Sequence, residues 1–378
     1  MEEFGKYQLE RRLAYGGMAE IFLANLCLEE DFRKKVVVKR ILPQFSADSA
    51  FVQMFIYEAV LAARFNHPHI VQIYDFGQID DAYFIAMEYV DGCDLRELLN
   101  VYAKAGEQLR PVDVAFLGEL CADALAYVHT FKDDRGQSLR IVHRDISPAN
   151  IMLSKQGQLK LMDFGIARCA ARQTLTSSGV VKGKLAYLSP EQARAEALDG
   201  ASDQFALGLV LLECLSGEKV YQAKSEAEML ALAIAGEITL GCHEDNSAEG
   251  QLLSILKKTL QLEVKDRYVD CAHLAEALRG FRLGQEDGAD VRVEALIARK
   301  GLDSETLECT GVEPCATVPL VKEQTADTVL NTGVAGTADT TQEKSRAFSR
   351  TPLVAALMVL IGGGLFYGTS VLKTTPVP

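Results

Sequence analysis

Three oxygen-bearing side chains, Asp145, Asn150 and Asp163, fall close together in the stretch Ile141–Gly165, IVHRDISPANIMLSKQGQLKLMDFG. His143-Arg144-Asp145 comes first, Asn150 follows five residues after the aspartate, and Asp163-Phe164-Gly165 closes the stretch. Between Asn150 and Asp163 lie two apolar runs, Ile151-Met152-Leu153 and Leu159-Lys160-Leu161-Met162, flanking Lys155-Gln156-Gly157-Gln158. Apolar runs on either side of a glycine-containing turn predict a β-hairpin. A hairpin returns the chain to where it began, so Asn150 and Asp163 arrive at one end. That pair of oxygens suits Mg²⁺, a hard cation bound by a few protein oxygens together with phosphate. Asp145, just upstream, is placed to accept a proton from an attacking hydroxyl. A lone HRD triplet is most often a solvated turn. The triplet, the amide at that offset and DFG beyond a hairpin together point to chemistry.

This stretch resembles the catalytic core of a eukaryotic-type (Hanks-type) Ser/Thr protein kinase of the bacterial kind. The resemblance runs from about residue 7 to 281 and implies an α+β, bilobal protein-kinase fold. A small β-rich N-lobe (about 7–90) would sit over a larger helical C-lobe (about 91–281). It also implies ATP with Mg²⁺, Mn²⁺ being the alternative metal, and protein substrates. In this reading Asp145 orients and deprotonates the acceptor while Asn150 and Asp163 hold the metal.

The elements that must position these groups are legible on either side. Tyr7 to Ala24 predicts two strands around Leu13, Ala14, Tyr15, Gly16, Gly17, Met18, Ala19, Glu20 and Ile21. This is similar to the kinase phosphate-covering loop, G-x-G-x-x-G-x-V. Only the middle glycine survives, as Gly16, with Ala14 and Ala19 at the outer positions. Glycine serves such a loop by close backbone approach to phosphate and by allowing positive φ. In isolation the segment reads equally well as a plain hairpin turn. Val36-Val37-Val38-Lys39 predicts a strand ending in lysine, and Ser49 to Phe65 a helix with Phe51, Met54, Leu61 and Phe65 on one stripe. Glu58 falls within that stripe, where a carboxylate is costly unless paired, and Lys39 is the available cation. By resemblance this pair positions the ATP phosphates. His67-Pro68-His69 ends the helix and begins another strand, the two histidines being structural.

Tyr83 to Tyr89 predicts a strand leading into a hinge, where by resemblance backbone groups of Glu88 and Val90 meet adenine and Met87 guards the pocket behind. Asp94 either caps the next helix or touches the ribose. Pro111 to Thr130 predicts a long helix. Ile166 to Leu188 corresponds to the activation segment, with Thr174, Thr176, Ser177 and Ser178 as expected phosphosites and Arg144 as the phosphate's partner. Such a hydroxyl-rich run is also what any surface loop contains. Ser189-Pro190-Glu191 stands where the family has A-P-E, with Arg267 the expected cation for Glu191. Phe205 to Leu215, apolar nearly all round, predicts a buried helix, with Asp203 capping its start and tying it to the catalytic loop. One departure concerns charge near the phosphate. Family members carry Lys two residues after the catalytic Asp, where this chain has Ser147, and Thr where it has Lys184. The cation and hydroxyl have exchanged places, so that Lys184 is expected either to supply the missing charge beside the phosphate or to stand in solvent or against an acidic substrate.

Composition bounds the rest. The chain has 378 residues, 48% apolar, and a formal net charge of −13, which argues against nucleic acid and against a polybasic membrane patch. Nine cysteines are scattered without CxxC spacing, as expected for reduced thiols in a cytoplasm. No signal peptide is legible at the N-terminus. Residues 282–351 read as an acidic, Thr-rich juxtamembrane linker, with a short helix around Val291 to Arg299. Residues 352–372 read as a transmembrane helix and 373–378 as a short outer tail. Lys344, Arg346 and Arg350 precede the span and only Lys373 follows it, which puts the kinase domain on the cytoplasmic side of an inner membrane. Gly364 and Gly368 form GxxxG within the span, consistent with a weak homodimer or with ordinary glycine usage in membranes. Two rival functions share these features: a membrane-anchored pseudokinase scaffold, which the altered glycine loop favours, and a small-molecule phosphotransferase, which Ser189-Pro190-Glu191 disfavours.

Overall fold

The computed structural model of the chain describes residues 2–27, 33–165, 185–238 and 247–299. Strands β1 (Glu2–Phe4), β2 (Tyr7–Tyr15), β3 (Ala19–Cys27) and β4 (Arg33–Ile41) come first. Helices α1 (Pro43–Ser46) and α2 (Ser49–Ala62) follow, then β5 (Ile73–Ile79) and β6 (Ala82–Glu88). The strands form one antiparallel sheet in the order β1-β2-β3-β4-β6-β5. In β4 the alternation of Val36, Val37 and Val38 packs both faces of the sheet, as branched side chains on a pleated surface do. Lys39 is fixed at the end of this run, opposite Ile21 of β3 and Ile85 of β6.

Helix α2 begins where Asp48 accepts hydrogen bonds from the Ala50 and Phe51 amides. It ends at Ala62, three residues short of the expected Phe65. The segment His67-Pro68-His69 begins no strand. Proline removes one donor there, and the backbone on either side is committed elsewhere: the Leu161 amide donates to His69 O at 2.9 Å and the Val71 amide to Leu161 O at 2.9 Å. Strand β5 therefore starts only at Ile73.

The larger body contains β7 (Gly92–Asp94), α3 (Leu95–Lys104), α4 (Pro111–His129), β8 (Ile151–Ser154), β9 (Leu159–Leu161), α5 (Pro190–Ala193), α6 (Gly200–Ser216), α7 (Glu226–Ala235), α8 (Ala248–Thr259), α9 (Cys271–Leu283) and α10 (Val293–Ala298). Strands β7, β8 and β9 make a small antiparallel sheet on which the expected hairpin is found. Helix α6 runs through the middle of the lobe, and every residue from Ser202 to Leu215 is buried. Its start departs from expectation. Asp199, whose side chain accepts from the Ala201 amide, is the cap, whereas Asp203 lies inside the first turn and its carboxylate is spent on the catalytic loop.

Residues 285–299 fall within the stretch expected to be linker, yet they belong to this lobe. A short turn at Gly288–Asp290 leads into α10, whose Val293, Leu296 and Ile297 are buried in the large-lobe core. Three apolar side chains at helical spacing remove enough surface from water to hold so short a helix in place. Among the described residues no helix is long and apolar enough to cross a membrane, and residues 352–372 lie outside them.

Candidate active site

The cleft lies where β4, α2 and the end of β6 face the β8–β9 hairpin. Lys39, Glu58, Met87, Met162, Asp163 and Phe164 line one cavity there. The Lys39 ammonium is 2.8 Å from Asp163 Oδ1 and 3.8 Å from Glu58 Oε1. The expected Lys39–Glu58 pair is thus present but long, and the shorter contact goes to the metal-site aspartate. At the same end of the hairpin, Asn150 Nδ2 donates to the Asp145 carbonyl at 2.7 Å and to Asp145 Oδ2 at 2.8 Å. That pair fixes the amide with its nitrogen toward the base, which leaves the oxygen as the atom suited to a hard cation. Asn150 and Asp163 do arrive together at one end of the hairpin, and the Met162 amide donates to Asn150 O at 3.0 Å. The donor set, one amide and one carboxylate oxygen beside an ammonium, fits Mg²⁺ with nucleotide phosphate.

The catalytic loop is held from behind. Asp203 accepts from the His143 amide at 2.7 Å, the Arg144 amide at 2.8 Å and His129 Nε2 at 2.8 Å. Burial alone would raise this carboxyl, but the hydrogen bond and charge of His129 hold it below the usual range. Two non-glycine residues at the site adopt positive φ: Arg144 at 68° and Asp163 at 56°. Such backbone costs roughly 1–3 kcal/mol and persists only where surroundings enforce it. For Arg144 the enforcing group is the Asp203 clamp. The Gly165 amide donates to His143 O at 2.8 Å, and a Cβ at Gly165 would lie 3.0 Å from Asp145 Cβ, so any side chain there would press the two loops apart by a few tenths of an ångström. The His143 ring is fully buried against Phe164, with ring centroids 4.4 Å apart, and burial keeps its pKa low and the ring neutral.

The phosphate-covering loop is a turn, Gly16-Gly17-Met18, whose Gly16 amide donates to Ala19 O at 2.9 Å and whose Met18 carbonyl accepts from Leu42 N at 3.0 Å. Ala14 lies within β2 and Ala19 starts β3, and neither they nor Gly16 or Gly17 has positive φ. Alanine's methyl therefore meets no conformational penalty at either position. Glu191 and Arg267 form the expected pair, bidentate at 2.9 and 3.1 Å and buried. Asp94 caps α3 in a reciprocal capping box with Glu97, and burial raises its carboxyl to about 6.

These distances make the chain comparable with known proteins. The protein kinase domain family matches residues 7–277. The chain belongs to the protein kinase family. The kinase is 40% identical over 284 residues to the tyrosine-protein kinase MasK of Myxococcus xanthus, covering 74% of this chain and 44% of that one. It is 34% identical over 264 residues to the serine/threonine-protein kinase PrkC of Bacillus subtilis, covering 70% and 38%. The crystal structure of the Mycobacterium tuberculosis PknI kinase domain is similar with a TM-score of 0.52 and 27% identity, covering 74% of this chain and 98% of that one. The kinase thus spans less than half the length of these curated relatives.

Several supporting residues had no sequence signal strong enough to single them out. Gln192 Nε2 donates to Arg144 O at 2.9 Å, and the Ser-x-x-Gln spacing of its capping box with Ser189 was readable. Lys160 reaches Glu88 Oε2 at 2.9 Å, which ties the hairpin to the hinge. Arg96 and Tyr187 both hydrogen-bond Glu213 of α6. Lys184 and the hydroxyls of Thr174, Thr176, Ser177 and Ser178 lie outside the described residues.

Proposed function

We propose that the chain is a bacterial signalling kinase that transfers the γ-phosphoryl of ATP to Ser or Thr of proteins, held at the inner membrane by residues 352–372. The observation that carries this is the convergence of Lys39, Glu58 and Asp163 on one cavity, with Asn150 at the same end of the hairpin as Asp163 and hydrogen-bonded to Asp145. Asp145 accepts the acceptor's hydroxyl proton, with Asn150 holding its carboxylate in place. Lys39, drawn forward by Asp163 and Glu58, orients and neutralises the nucleotide's phosphates. Mg²⁺, when bound at Asn150 and Asp163, adds charge neutralisation between the phosphates. The scaffold alternative is weakened because Ala14 and Ala19 impose no backbone strain on the loop. In this reading Glu88 and Val90 meet the adenine, activation-segment hydroxyls are autophosphorylated, and Gly364 and Gly368 support a weak homodimer.

Tyrosine is a second acceptor class with one observation in its favour. Ser147, beside Asp145 and buried, leaves its hydroxyl without a hydrogen-bond partner where Ser/Thr kinases carry lysine. The short side chain leaves more room at the acceptor side, and the Myxococcus relative is a tyrosine-protein kinase by name. One experiment covers both readings: incubation of membrane-extracted chain with labelled ATP and Mg²⁺, wild type against Asp163→Ala, followed by phosphoamino-acid analysis and mass spectrometry. Labelled Thr174 or Thr176 in the wild type alone is the expected result. Equal labelling in the variant would reject the metal assignment, and label on tyrosine only would replace the Ser/Thr reading.

Lys184 is proposed to reach the phosphate in place of the lysine absent at Ser147. Lys184→Thr is then expected to lose most of the rate, about tenfold or more, and adding Ser147→Lys to restore much of it. Strictly additive losses in the double variant would exclude the exchange.

A further inference from the structure

The match to the kinase family ends at residue 277, but the large lobe continues to Arg299. What this continuation touches is informative. Helix α10 packs against β8, the strand that follows Asn150. Its Glu294 carboxylate lies over Gly157, at the tip of the turn joining β8 to β9, so closely that a methyl group on Gly157 would push the carboxylate off the turn. Gly157 has φ of 85°, a conformation that favours glycine even without a neighbour. On its other side the same turn is held by the hinge. The Lys155 amide donates to Asp91 O at 2.9 Å, and its ammonium is 3.2 Å from Asp91 Oδ1.

The continuation is itself fastened at both ends. Arg110 pairs with Asp287 before α10, and Arg299 Nη1 lies 3.1 Å from Asp113 Oδ2 after it, Asp113 being buried and also held by Arg110. Between these fastenings Val293, Leu296 and Ile297 are inserted in the core. A peripheral helix that merely covered apolar surface would not need to contact the one turn that joins the two metal-site strands.

We infer that residues 285–299 are a positioning strap for the nucleotide site. By seating the Gly157 turn against the hinge, the strap sets the hairpin whose opposite end presents Asn150 and Asp163. The functional catalytic unit therefore extends to Arg299, and any force or partner acting on the chain beyond it bears on the metal site through α10. This rests on the reading of the cleft as a Mg²⁺–ATP site.

A double-mutant cycle in the full chain tests it, using Gly157→Ala and Glu294→Ala, both away from the catalytic groups. The readout is the Kd for a fluorescent ATP analogue, measured with Mg²⁺ and again in EDTA. With Mg²⁺, Gly157→Ala is expected to weaken binding about fivefold in the native background and by a clearly smaller factor once Glu294 is removed, when only the strain of its positive φ remains. In EDTA the four proteins are expected to bind alike, because the strap acts through the metal-holding end. Equal losses in both backgrounds, or a loss unchanged by EDTA, would overturn the strap as a positioning device while wild-type binding leaves the kinase reading intact. Absence of any Mg²⁺-dependent binding by the wild type would overturn both.

Discussion

Asp145→Asn and Lys39→Met should each reduce phosphotransfer by about 10²–10⁴-fold while leaving the folded state in place. The asparagine is isosteric and can still hydrogen-bond Asn150, but an amide has no basicity with which to take the acceptor's proton. Methionine preserves the length of Lys39 within the cavity while removing the only charge set between Glu58 and Asp163 in the described contacts. Those two carboxylates then lose the ammonium that sits between them. The two losses have different kinetic forms. Asp145→Asn leaves nucleotide affinity near wild type and lowers kcat, whereas Lys39→Met disturbs the orientation of bound nucleotide as well. Circular dichroism melts that overlay the wild type, combined with labelled-ATP assays, make the comparison. Full activity in either purified variant would rule out the assignment.

The second large effect is on stability. Asp203→Ala removes the acceptor of two backbone amides and of the His129 ring at one stroke. Losing one member of a buried, hydrogen-bonded pair costs about 3–5 kcal/mol, and here the Arg144 backbone is also released from a strained conformation it adopts only under that clamp. The expected result is a lower urea midpoint with an unchanged slope. Acid should narrow the gap. Because the folded-state carboxyl is depressed, its contribution is complete above the unfolded-state value, about 3.9, and is lost as pH falls towards the folded value. Wild type and variant therefore converge below about pH 4. A gap that persists undiminished there would show that the ionised carboxylate is not what holds the loop.

What could be read from the sequence was whatever is local. Asp145, Asn150 and Asp163 sit within a single hairpin and its lead-in, so their convergence follows from strand geometry alone. Glu58 could be paired with Lys39 because a carboxylate within an apolar stripe demands a cation. The choice that Lys39 actually makes, Asp163 at 2.8 Å before Glu58 at 3.8 Å, depends on how the two lobes meet, which no local pattern encodes. Asp203 was recognised as the tie to the catalytic loop but taken also for the helix cap. Two aspartates four positions apart both fit that role, and only the start of α6 shows that Asp199 caps it. Residues 285–299 read as linker with a short helix at Val291 to Arg299; the helix is there, but three apolar side chains among charges look solvated until a surface is found for them. The glycine loop gave the opposite lesson: its missing glycines suggested impairment, and the backbone there never needed positive φ.

The burial of α6 on every side has a consequence for how this lobe can be made. An amphipathic helix can wait in water with its apolar face half-shielded, but α6 has no polar face to turn outward. It leaves the ribosome after α4, which packs against it, but before α8 and α9, which complete its cover. Until they arrive its apolar run from Phe205 to Leu212 keeps an uncovered side, the kind of surface that chaperones recognise and neighbouring chains stick to. Shortened versions that stop anywhere between α6 and α9 would keep that surface permanently bare, and versions that keep α9 but lose residues 285–299 would still uncover the core that Val293, Leu296 and Ile297 fill.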